Sequence, residues 1–104
     1  MAELAQLMLD HRLSQLRKTR IDLDRSRSQL QAINAAAEPA DLPMVAAQTV
    51  ALTYQRWADV RRSDLNLVIA RQTVDWIGAR DDAGTAFGRL QALRGLSEKL
   101  EKRR

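Results

Sequence analysis

Leu9, Leu16, Leu23 and Leu30 recur every seven residues early in the chain. Leu13 precedes Leu16 by three, as the other core position of a heptad would, and its series continues through Arg20, Arg27 and Asn34. This spacing predicts a helix with a coiled-coil seam, half of which turns polar. Strand-type alternation is absent, and the helix formers Ala, Leu, Arg and Gln dominate on both sides of one break. That break contains Pro39 and Pro43, which remove two backbone donors and bias the residues before them away from helical geometry. Asp41 can cap a following helix, and Pro43 suits its first turn. The pattern predicts an all-α fold in one unit, residues 1–104: helix 1 over 2–34, a connection at 35–42, and helix 2 over 43–102.

Helix 2 carries two apolar stripes, each stepping by three and four. One runs through Val50, Thr53, Trp57, Val60, Asp64, Leu67, Arg71 and Val74. The other runs through Leu65, Ile69, Gln72, Trp76, Ala79, Ala83, Ala86, Leu90, Leu93, Ser97 and Leu100. At about 100° per residue the stripes lie roughly 140° apart, so the middle of helix 2 should have two neighbours. A tight bend near residue 40 would pair residues whose numbers sum to about 80. The first stripe then meets helix 1, giving a predicted seam of Leu9, Leu16, Leu23, Leu30, Trp57 and Val60, with Leu23 against Trp57. This register sets Leu16 against Asp64 and Leu9 against Arg71, two local conflicts. It also leaves residues 78–104 overhanging by roughly 40 Å, at 1.5 Å per residue. Leaving Leu90, Leu93, Leu96 and Leu100 in water is costly, at about 1.5–3 kcal/mol per leucine. The second stripe should therefore be covered by a second chain, most simply in a homodimer. The alternative is a break near Gly78–Gly88 and a three-helix bundle. Unbroken three-four stepping through those glycines favours a continuous helix and a long antiparallel hairpin. Trp76, Leu90 and Leu93 are the expected partner contacts on this stripe.

Composition narrows the chemistry. Among 104 residues there is no Cys and one His, which excludes disulfides, thiolate sites and histidine clusters. His11 alone makes no metal site. Asp22 and Asp24, like Asp81 and Asp82, diverge around a helix and cannot hold an acid and a base over one bond. Gly84 and Gly88 lack the Lys-Ser/Thr ending and preceding strand of a phosphate loop. No catalytic, cofactor or metal site is expected, and the protein does not read as an enzyme. The net charge is +4 from 17 basic and 13 acidic residues. The densest basic cluster, Arg17, Lys18, Arg20, Arg25 and Arg27, wraps around helix 1, contains Asp22 and Asp24 and has no aromatic, so nucleic acid is a poor fit. Arg20 and Arg27, at core positions, should snorkel past the seam or pair with Asp59. The start does not read as a signal peptide and no 18-residue apolar run occurs, which points to a cytoplasmic protein without a membrane span.

A family likeness rests on Met1, Ala2 and Glu3 at the start, Ser28, Gln29 and Leu30 before the bend, Arg56 and Trp57 early in helix 2, and the Arg/Lys/Glu-rich ending from Leu93 through Lys102. In these, and in its hairpin with a longer second helix, the chain resembles the FliJ/YscO family of bacterial stalk proteins, from flagellar and injectisome type III export ATPases. The resemblance implies a coiled coil that inserts into the ATPase ring and helps dock export chaperones or the export gate. It implies Leu67 and Ala70 as gate contacts. The alternative is a helical interaction protein or chaperone of another assembly.

Overall fold

A computed structural model describes residues 2–36 and 44–103. The protein is an all-α antiparallel hairpin of two helices, α1 (Ala2–Ala35) and α2 (Met44–Lys102). Among the described residues only Ala36 and Arg103 are not helical. Most of the expected connection, with Pro39, Asp41 and Pro43, lies outside the described residues. The molecule measures 87 × 21 × 14 Å, and its radius of gyration is 24.0 Å. A compact domain of this length would have a radius near 13 Å. The long axis matches α2 itself, whose 59 residues span about 88 Å at 1.5 Å each.

α2 therefore runs unbroken through Gly78, Gly84 and Gly88, and the three-helix bundle is excluded. None of these glycines has positive φ, and a Cβ at any of them would meet nothing within 4 Å. They mark neither a turn nor a close approach.

The register differs from the expected one. Leu9 packs on Ala86 and Leu90, and Ile33 packs on Ala58 and Leu65. Facing residues thus sum to about 95 rather than about 80. The second stripe, expected to need a second chain, is the face that meets α1. The first stripe faces away: Trp57 is 54% and Val60 64% exposed, so neither belongs to the seam. Trp57 does not cover Leu23; its ring tilts against Tyr54 instead, with centroids 5.7 Å apart.

The charges explain which stripe is chosen. The first stripe contains Asp64 and Arg71, which the shorter register would press against Leu16 and Leu9. Burying an unpaired charge costs several kcal/mol, more than exposing one Leu or Val. The second stripe carries no charge from Leu65 to Leu93, and α1 slides along α2 until it covers this run. The expected C-terminal overhang shortens to the last turns of α2, because Arg94 reaches Gln6 near the start of α1; Leu96 and Leu100 beyond it stay about half exposed. Instead the first turns of α2 project past α1 at the other end, where Met44 and Val45 are exposed.

On α1 the leucine heptad does lie in the seam. Leu23 is fully buried, Leu9 is buried, and Leu16 and Leu30 are half-buried at its edges. The second core series is Ala5, Arg12, Thr19, Ser26 and Ile33, not Leu13, Arg20, Arg27 and Asn34. Arg20, Arg27 and Asn34 are exposed, whereas Ser26 and Ile33 are buried; Leu13 flanks the Leu9 cluster. Polar contacts lace the edges: Arg61 donates to Gln29, Arg62 to Asn34, and Arg12 pairs with Asp82 at 3.7 Å. Tyr54 Oη donates to the Ile33 carbonyl at 3.2 Å, satisfying an acceptor in the last turn of α1. Asp59 pairs with Arg62 on its own helix rather than with Arg20.

Candidate interaction surfaces

A two-helix seam can bury only a narrow strip. Among the described residues eight apolar side chains are buried and seventeen large ones are exposed. Five of the exposed ones share one stripe. Val50, Trp57, Val60, Leu67 and Val74 lie on this stripe of α2, which faces away from the seam, with Thr53, Asp64 and Arg71 at the intervening steps. This strip is about 36 Å long at 1.5 Å per residue. Near the projecting end of α2, Thr49, Val50, Thr53, Tyr54 and Trp57 frame a shallow apolar depression. Leu67 is 59% exposed on this strip, and Ala70 is exposed beside it.

The other expected contacts fall elsewhere. Leu90 is 2% exposed and held by Leu9 and Ala86, so it is not free to meet a second chain. Leu93 is half-buried where α2 passes the start of α1, in a groove with Leu4, Met8, Ala86 and Arg89. Trp76 is half-buried at the edge of the seam.

Trp76 anchors a cluster that the sequence reading did not assemble. The guanidinium of Arg20, on α1, lies 5.4 Å from the indole centroid, and that of Arg80, one turn along α2, lies 5.2 Å from it. Leu16, Arg17 and Ile21 line a groove with Arg20 and the ring, and Arg80 stacks on the ring beside it. Arg20 Nε also donates to Asp24 at 3.2 Å. The one signal available in sequence was Arg20 at a position read as core, and only the register reveals which aromatic it meets.

The groove on the opposite side of the hairpin, at the same level, is acidic in comparison. Asp22, Asp75 and Asp82 line it, with Arg12 and Lys18. The two faces thus differ in charge balance, although Asp24 and Asp81 pair with Arg20 and Arg80 on the Trp76 side.

His11 is exposed, Asp22 and Asp24 separate to different surroundings, and no group of three or more His, Cys, Asp or Glu residues among those described is placed to hold a metal. No described helix is long and apolar enough to cross a membrane. No protein-family model, curated protein or solved structure matches this chain.

Proposed function

We propose that this protein is a non-enzymatic coiled-coil component of a bacterial protein assembly, acting as the stalk of a flagellar or injectisome type III export ATPase does. The observation that carries the reading is the exposed strip of Val50, Trp57, Val60, Leu67 and Val74 on α2, interrupted by Asp64 and Arg71 and displayed on an 87 Å hairpin. A rod of this length suits reaching through a ring and presenting a face to the gate or to export chaperones. In this reading the protein works in the cytoplasm, and Trp57, Val60, Leu67 and Ala70 meet the partner.

A second copy is a less favourable occupant of the strip. A single helix face about 36 Å long and about 10 Å wide offers some 360 Å² per chain, against about 800 Å² per partner in a stable complex. A larger partner that wraps the rod can bury more. Self-association in isolation would therefore be weak, and a homodimer on this strip would stand in for the cellular contact.

Site-specific photocrosslinking in cells tests the reading. A photoreactive residue at Leu67 or Trp57 should trap a protein of the export apparatus, whereas one at the buried Leu90 should trap none. Crosslinks from Leu67 only to unrelated assemblies would support the alternative, a helical adaptor or chaperone of another system. Crosslinks to nucleic acid would defeat both.

A further inference from the structure

The geometry points to the Trp76 groove as a docking site for an acidic amphipathic helix of a partner protein, with Arg20 and Arg80 each receiving a carboxylate. The inference does not depend on the apolar strip, which lies on another face of α2.

A guanidinium stacked on an aromatic face keeps its N–H fork directed outward, and the stacking restricts its rotamers before any ligand arrives. Both guanidinium carbons lie within 5.4 Å of one ring centroid, so they are no more than about 10.6 Å apart. Carboxylates one or two helical turns apart on a ligand helix span that range, since residues at i,i+4 sit about 5–6 Å apart at Cβ. Asp24 occupies Arg20 Nε and leaves its terminal nitrogens for a bidentate contact. Arg80 meets only Asp81, at a loose 3.8 Å. Arg17 has no ion-pair partner among the described residues.

The floor of the groove is apolar: Leu16 and the indole, with Ile21 57% exposed at the rim. Trp and Arg beside an apolar floor form the residue set enriched at energetic centres of protein interfaces. Of the acids at this level of the hairpin, Asp22, Asp75 and Asp82 line the other groove, whereas Asp24 and Asp81 pair with Arg20 and Arg80; with Arg17 unpaired among the described residues, the Trp76 side keeps a net positive charge toward an incoming chain. An acidic helix with a leucine stripe satisfies the floor and the forks together. A nucleic acid would satisfy the forks alone.

The full chain carrying Trp57→Phe leaves Trp76 as its single tryptophan. The probe is a synthetic helical peptide with a leucine stripe flanked by Glu at i and i+4; controls carry Gln or Lys in place of Glu. The acidic peptide should shift Trp76 emission saturably, and raising the salt should weaken it. Arg20→Gln with Arg80→Gln should weaken binding at least tenfold, Arg20→Lys with Arg80→Lys by an intermediate factor, and Arg89→Gln, in the groove near Leu4, not at all. Circular dichroism should show all of these variants folded. Equal binding of the three peptides, or unchanged affinity in the Gln variant, overturns the inference. So does a variant that lowers only the melting temperature, or an oligonucleotide that competes the peptide off at equal concentration.

Discussion

Leu90 and Leu67 lie on the same helix and differ in face, so truncating each to Ala isolates what the seam contributes. Leu90 is 2% exposed and packs on Leu9 and Ala86. Leu→Ala at a buried site costs about 2–5 kcal/mol, lost transfer energy plus the cavity left behind. A two-helix seam is open along both edges and can close partly over the gap, so we expect the lower end, about 2–3 kcal/mol. For a domain of this size that lowers the melting temperature by roughly 8–24 °C. Leu67 is 59% exposed, with no element of the hairpin over it. Its truncation forfeits little burial, and Ala is the better helix former by a small margin, so the change should stay within about 0.5 kcal/mol. Thermal and urea melts followed by helical ellipticity, at several protein concentrations, provide the measurement. Equal losses at the two sites, or a larger loss at Leu67, would refute the register. A melting temperature that climbs with concentration in the parent, and no longer does so after Leu67→Ala, would show the strip buried between copies.

Three further changes probe the hairpin itself. Gln72 sits in the seam with its Oε1 buried and unpartnered, so Gln72→Leu should stabilise by about 1–3 kcal/mol, read as a higher urea midpoint. Gly84→Ala and Gly88→Ala should each add about 0.5–1 kcal/mol, since the new methyl meets no atom within 4 Å; a loss would expose a contact the hairpin does not contain. Tyr54→Phe removes the hydrogen bond to the Ile33 carbonyl and should cost about 0.5–1.5 kcal/mol, with faster amide exchange in the last turn of α1.

The helices were legible because proline and periodicity are local signals. Nothing near Leu9 competes with helix, and three-four stepping through the glycines before Leu90 predicted the unbroken α2. The register was not legible in the same way, because two stripes on α2 share that stepping and either can face a leucine heptad. Assuming a tight bend selected the stripe nearest the prolines. The conflicts it created, Leu16 with Asp64 and Leu9 with Arg71, were the evidence against it. On α1 the same ambiguity gave the second core series to Leu13, Arg20, Arg27 and Asn34, whereas Leu13 is half-buried and the other three are exposed. The Trp76 cluster could not be read at all without the register, since Arg20 and Trp76 meet only when numbers near 96 face each other.

The seam holds small residues, Ala58, Ala83 and Ala86 among them, while Trp57, Val60 and Leu67 stay outside. Hydrophobic size alone would favour the reverse, so Asp64 and Arg71 act as the elements that bar the larger stripe from α1. Exchanging both tests this directly. In Asp64→Leu with Arg71→Leu, the two stripes become comparably apolar, and the shorter register no longer buries a charge. The chain has no cysteine, so Gln6→Cys and Arg94→Cys, placed where these side chains hydrogen-bond at 3.2 Å, report the native register through a short bismaleimide crosslink. In the parent background the intramolecular crosslink should form in high yield. With both charges replaced it should fall, because α1 is shared between two faces of α2 while overall helicity persists. An unchanged yield would mean that the small residues of the seam select the register unaided. The two charges would then have no part in keeping the outer strip free for a partner.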